Sequence, residues 1–260
     1  MKIEILVASM SSTPSLIKEM KIKTGAVVVS QEDKNETSYI NNYGQEIKFI
    51  RSDNRGVGRS RNLAIINATA DICLIADEDM IYVDNYEKIV FDEFKKRPDA
   101  DIILFSIESL NPDRPCYEET RNHIVNKLNF MKYGACRVAF RRESILKNNI
   151  FFSLMFGGGA RYGSGEDSIF LNDCLKYGLK IYACTKKIAD VKQEESSWFT
   201  GFNKKYYFDK GALFSAMGKY NSLLLIPLMA IRGKNEFKDK FSVKQVIDFM
   251  VKGRKDYLGK

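Results

Sequence analysis

The chain has 260 residues, 45% hydrophobic and 28% charged, a globular profile that excludes wholesale disorder and allows one large domain or two small ones. Its net charge of +8 favours anions such as nucleotide diphosphates, acidic glycans, anionic lipid or nucleic acid, without choosing among them. Five cysteines, an odd number with no CxxC pair, read as reduced cytosolic thiols rather than a disulfide framework or zinc site.

The opening residues lack a basic segment followed by a long apolar run, so no secretory signal is expected. No uninterrupted apolar stretch reaches the roughly 20 residues of a spanning helix; the longest, 223–231, contains Pro227. Residues 3–9, 26–30 and 47–51 read as short buried strands. Residues 59–68 follow as a helix, with Leu63 and Ile66 on its apolar side. Residues 71–76 form the clearest buried strand. Residues 86–96 place Ile89, Val90 and Phe94 on one helical face, stopped by Pro98, and 101–106 is another strand.

Strands alternating with helices predict a layered α/β sheet, largely parallel in the first half. Further on, 117–129 is expected to be helical, 137–141 a strand, and 150–165 a loop rich in glycine and aromatics. Residues 167–177 have helical spacing and end at Gly178, and 180–184 is a short strand. Beyond about 197 aromatics and lysines interleave, and from Arg232 onward nine Lys/Arg face four Asp/Glu. A catalytic unit over 1–200 and a helical, basic tail over 201–260 are expected. The tail suits either core packing or contact with an anionic membrane surface.

Three segments carry chemistry. The 71–76 strand delivers Asp77, Glu78 and Asp79 at its C-terminal end, the edge where open α/β sheets bind ligands. Asp77 and Asp79 alternate onto one face, an arrangement that suits Mg²⁺ or Mn²⁺, although strand ends are often merely solvated and acidic. A glycine loop, 157–165, opens onto Glu166 and Asp167 at a helix start. Those acids suit either ordinary capping, with Ser164 near the N-cap, or a general base aimed into a cleft. Residues 54–62 set two glycines and three arginines before a helix, a place for a diphosphate or a base. Neither a P-loop nor a dinucleotide fingerprint is present.

Taken in order, Gly58-Arg-Ser-Arg61-Asn62, Leu74-Ile-Ala-Asp77-Glu78-Asp79 and Gly165-Glu166-Asp167-Ser-Ile-Phe170 resemble the family 2 glycosyltransferases of the GT-A fold. The stretches 156–167 and 195–199 look like the bacterial polysaccharide-assembly branch. The resemblance covers about residues 1–200. It implies a mostly parallel mixed sheet flanked by helices, with a nucleotide-sugar half at about 1–106 and an acceptor half at 107–200. It implies Ala8, Ser9 and Gln31 near the nucleobase, and Arg61, Asn62, Asp77 and Glu78 at the nucleotide-sugar. Asp79, with Asp77, would hold Mn²⁺ or Mg²⁺; Asp167 would be the base, and Glu166 would orient the acceptor or its neighbours.

The implied partners are a nucleotide-sugar, by family habit a UDP-sugar, and a glycan or lipid-linked glycan acceptor. No nucleic acid is expected. The implied place is the cytoplasm or the inner face of the cell membrane. Two features depart from the family pattern. Ser30-Gln31 stands where an acid usually follows the second strand, and the single histidine, His123, precedes the Glu-Asp pair. Asp190 or Gln193 could replace a late histidine at the metal, and His123 reads as a surface residue on a polar helix. A nucleotidyltransferase and a non-catalytic anion- or membrane-binding protein are the competing readings.

Overall fold

The computed structural model describes residues 1–11, 13–193 and 201–259, so the 195–199 stretch lies outside the described residues. The chain opens with β1 (Ile3–Ser9), α1 (Ser15–Glu19), β2 (Gly25–Gln31), β3 (Glu36–Asn42) and β4 (Gln45–Ser52). Helix α2 (Val57–Asn67), β5 (Ile72–Asp77), β6 (Met80–Tyr82), α3 (Tyr86–Lys96) and β7 (Ile102–Ser109) complete the first half. Then come β8 (His123–Val125), two single-turn 3₁₀ segments (Phe130–Lys132 and Ala135–Arg137), β9 (Val138–Arg141), α4 (Arg142–Lys147), α5 (Glu166–Lys176) and β10 (Ile181–Val191). Four helices follow: α6 (Lys204–Met217), α7 (Asn221–Arg232), α8 (Lys234–Phe237) and α9 (Val243–Tyr257).

One sheet runs in the order β3-β4-β2-β1-β5-β9-β7-β10-β6, with β8 pairing β10. β1 pairs in parallel with β2 and β5, β2 with β4, and β7 with β10. β9 is antiparallel between β5 and β7, which restores β7 and β10 to the direction of β1. Six strands therefore share one direction, and their C-terminal ends form a common edge.

The strand residues are buried on both sides because helices cover both faces. In β1, Leu6 joins one apolar cluster with residues of α2, α5, α6 and α9; Ile5 and Val7 join the other with residues of α1 and α3. Each fully buried Leu, Ile or Val contributes about 1.5–3 kcal/mol relative to exposure. Tyr207, Leu213, Val246 and Met250 of the last helices belong to the same cluster as Leu6 and Ile75.

The pattern misled in two places. β3 carries the polar run ETSYINN and escapes an apolar count, yet it closes a hairpin on β4 through Tyr43 and Gly44, both at positive φ. Residues 117–129 are not helical. β10 extends to Val191, well past the predicted 184, to pair with β6, while its first residues, Ile181–Ala183, offer an edge that His123–Val125 joins antiparallel. His123 is accordingly on a strand, its side chain only 21% exposed, with Glu119 and Tyr133 beside it.

Candidate active site

The shared edge brings the sequence-predicted acids together. Ala8 at the end of β1 sits in register with Asp77 at the end of β5, and Ser9 with Ser30 of β2. A cleft of about 340 Å³ opens there, lined among others by Arg61, Asp77, Asp79, Glu166, Asp167 and Gln193. Residues separated by 90 positions of chain, Asp77 and Asp167, thus share one cavity whose size suits a small-molecule ligand.

Arg61 ties the two acid segments. It projects from α2, is 4% exposed, and donates from Nη2 to Asp77 Oδ1 and from Nη1 to Glu166 Oε1, both at 2.8 Å. The Phe152 ring lies 5.3 Å from its guanidinium. Burial disfavours this charge, but the two carboxylates outweigh that cost and hold it firmly protonated. Burial likewise works to raise Asp77, and Arg61 together with a thiol bond prevails, leaving its carboxyl below the usual range. The thiol is Cys136, donating to Asp77 Oδ2 at 3.0 Å. Burial and then the Asp77 charge push that thiol well above its ordinary pKa, so it stays protonated.

Asp79 differs from Asp77. Burial, then the neighbouring Asp77 charge, raise its pKa, against a bond of 3.3 Å from the Gln193 backbone N–H to Oδ2. It is a half-buried carboxylate beside another negative charge, with no ion pair among the described residues. A hard divalent cation fits that environment. Among the described residues no three His, Cys, Asp or Glu side chains gather around a point. A protein that supplies one or two carboxylates and leaves the other positions to phosphate oxygens and water matches Mg²⁺ or Mn²⁺ chemistry. Both Asp77 oxygens are engaged by Arg61 and Cys136, so Asp79 is the carboxylate freer to hold a cation. Of the two late substitutes considered for histidine, Gln193 lines the cleft, whereas Asp190 pairs with Lys187 at 2.7 Å.

Asp167 begins α5. Burial and then the charge of Glu166 push its pKa up to about 6, opposed by a bond from the Ser168 N–H and by the charges of Arg61 and Lys210. A carboxyl poised there can accept a proton near neutral pH. The expected Ser164 cap does not form. Gly165 occupies the N-cap with φ +113°, which favours glycine, and Glu166 Oε2 accepts its N–H at 3.1 Å. A Cβ on Gly157 would stand 2.8 Å from Glu166 Cδ, so the absence of a side chain lets the loop close on that acid.

Other expected residues act indirectly. Gln31 Oε1 accepts the Gly56 N–H at 2.7 Å and holds the loop before α2. Glu78 accepts from Ser9 Oγ, and from the Met10 N–H at 3.1 Å, which fixes the end of β1. Both ends of the Asn62 amide are consumed by the Phe152 backbone, at 2.9 and 2.8 Å, so it clamps the aromatic loop. Sequence reasoning missed Tyr117, Lys132, Cys136 and Arg137, which line the cleft, and Lys210, whose charge acts on Asp167. Arg137 is 3% exposed; its Nη1 donates to the Phe105 carbonyl at 3.3 Å and its Nη2 to the Tyr117 carbonyl. The one signal for Lys132, Cys136 and Arg137 was the basic, small-residue run 132–137 directly before a strand; Tyr117 and Lys210 carried none.

A family model described as glycosyl transferase family 2 matches residues 23–156, which is 134 of the 260 residues. The chain belongs to glycosyl transferase family 2. The family match spans α2, β5 and the start of the aromatic loop, and so includes Arg61, Asp77 and Asp79. Crystal structures of S. aureus TarS share the GT-A fold. TarS 1-349 in complex with UDP-GlcNAc has a TM-score of 0.60 at 15% identity, over 99% of this chain and 73% of that one. TarS 1-349 in complex with UDP has a TM-score of 0.58 at 14% identity, over 100% and 72%. The longer TarS structure has a TM-score of 0.58 at 15% identity, over 99% of this chain and 43% of its own. No curated protein sequence matches the chain.

Proposed function

We propose that the chain is an inverting glycosyltransferase that moves a hexosyl or N-acetylhexosaminyl group from a UDP-sugar to an acceptor hydroxyl in polysaccharide or glycolipid assembly. The supporting observation is that Asp79 and Asp167 line one cleft. The similarity to S. aureus TarS in complex with UDP-GlcNAc and with UDP favours uridine as the base.

In this reading the acceptor oxygen attacks the anomeric carbon from the side of Asp167. The new C–O bond forms as the old bond to the diphosphate breaks, and the pair of electrons leaves with the nucleoside diphosphate. Asp167 takes the hydroxyl proton, a contribution of roughly 10²–10⁴-fold. One displacement inverts the anomeric centre. Arg61 and Glu166 hold Asp77 and the α5 start in place, and Arg137 and Lys132 supply positive charge to the lining of the cleft. A Mg²⁺ or Mn²⁺ ion held by Asp79, beside Asp77, would neutralise charge that grows on the leaving diphosphate.

The acceptor is a glycan or lipid-linked glycan, met in the cytoplasm or at the inner face of the membrane. Screening nucleotide-sugars for diphosphate release tests the donor. UDP release is expected with one UDP-sugar and Mn²⁺. Pyrophosphate release would point to nucleotidyl transfer, and no turnover with any donor would remove the reading.

A further inference from the structure

Helix α7 is apolar on the side that meets the core and again on the side that faces out. Ser222, Ile226 and Ala230 recur every four residues and are buried. Arg254 Nε of α9 donates to Ser222 Oγ at 3.0 Å, which fastens α7 to the last helix. At 3.6 residues per turn, Tyr220, Leu224, Leu228 and Ile231 fall on the opposite side. They are 76%, 75%, 41% and 65% exposed. A surface helix of a globular protein turns polar residues that way. Single exposed apolar residues are ordinary, whereas a continuous stripe marks a contact.

The surroundings of the stripe are basic. Lys219, Arg232, Lys234, Lys238 and Lys240 are exposed and make no ion pair among the described residues. Between 219 and 244 the acids are Glu236 and Asp239 alone.

We propose that this face docks on an anionic lipid bilayer, with α7 lying flat, its stripe inserted among the headgroups and the lysines on acidic lipids. The 12-residue helix is about 18 Å long, too short for the roughly 30 Å hydrocarbon core, and no described helix is long and apolar enough to cross a membrane. A second copy of the chain would also cover an apolar stripe. Two copies meeting on the same patch, however, would set their own lysines against each other, whereas acidic headgroups carry the opposite charge. The docking is independent of the donor chemistry, so a vesicle assay without nucleotide-sugar separates its failure from failure of the transfer reaction.

Flotation of the full chain with phosphatidylcholine vesicles, alone or with about one-third phosphatidylglycerol, tests it. Recovery with the anionic vesicles is expected, falling as salt is raised. The double variant Leu224→Ser, Leu228→Ser leaves the buried face intact and should weaken partitioning by roughly tenfold or more. Circular dichroism checks that it folds, and Lys234→Glu with Lys238→Glu should lose the preference for anionic vesicles. Equal flotation of parent and leucine variant, or no recovery with either vesicle, overturns the proposal. So does a dimer on size exclusion that dissociates in the leucine variant, because it would assign the stripe to a second copy.

Discussion

Asp167 is pushed up to about 6 by burial and by Glu166, and this makes activity and stability move in opposite directions with pH. The ionised form is the base, so kcat/KM should rise as pH increases through about 6. Raising a carboxyl above its unfolded value, near 3.9, means that the folded chain holds the proton more tightly. Its stabilising contribution is therefore present in full below pH about 4 and lost as pH rises through about 6. Asp167→Asn should lower kcat by roughly 10²–10⁴-fold. The same variant should gain unfolding midpoint over the parent between pH 4 and 7, measured by thermal melts. An unchanged pH-rate profile in a still-active Asp167→Asn variant would remove its role as base. Arg61 is the second decisive residue. Arg61→Leu leaves Glu166 and Asp77 without their buried counter-charge and should cost about 3–5 kcal/mol in urea unfolding.

At the level of elements, the strands and helices legible in the sequence were those with one dominant local signal. β5 is an unbroken apolar run, and α3 has its buried face at helical spacing with Pro98 behind it. The elements that escaped depend on neighbours. β3 is polar and exists because β4 supplies its ladder, and β8 exists because Ile181–Ala183 at the start of β10 offer it an edge. The crossing of α6 on α9 was equally invisible, since it rests on two glycines far apart in sequence. A Cβ on Gly211 would stand 1.8 Å from the Met250 carbonyl oxygen, and one on Gly253 1.8 Å from that of Phe208. The helix backbones therefore meet directly. Gly253→Ala should force them apart and cost about 1–3 kcal/mol or more, read from the urea midpoint at unchanged m-value. A neutral outcome would mean that the helices do not cross this closely.

Across the whole molecule, the last helices belong to the core. Phe214 and Met217 of α6 and Val246 and Met250 of α9 share one apolar cluster with Leu6 and Ile75 of the central strands. A chain cut after residue 200 would expose that face of the cluster and should aggregate, as tested by soluble yield and near-UV circular dichroism. The acids of the cleft were legible because each stands at a conspicuous boundary, Asp77 and Asp79 after an apolar strand and Glu166 and Asp167 after a glycine loop. Cys136, Arg137 and Lys210 were not, because only the antiparallel insertion of β9 and the packing of α6 carry them to the same place. The convergence of the two acid segments is the claim on which the chemistry depends. Its most direct test is nucleoside diphosphate release from a UDP-sugar by the parent chain, Asp79→Asn and Asp167→Asn, each with and without Mn²⁺. Stimulation by Mn²⁺ in the parent, its loss in Asp79→Asn, and near-complete loss of turnover in Asp167→Asn are predicted. Parent-like, Mn²⁺-stimulated turnover in either variant would contradict it.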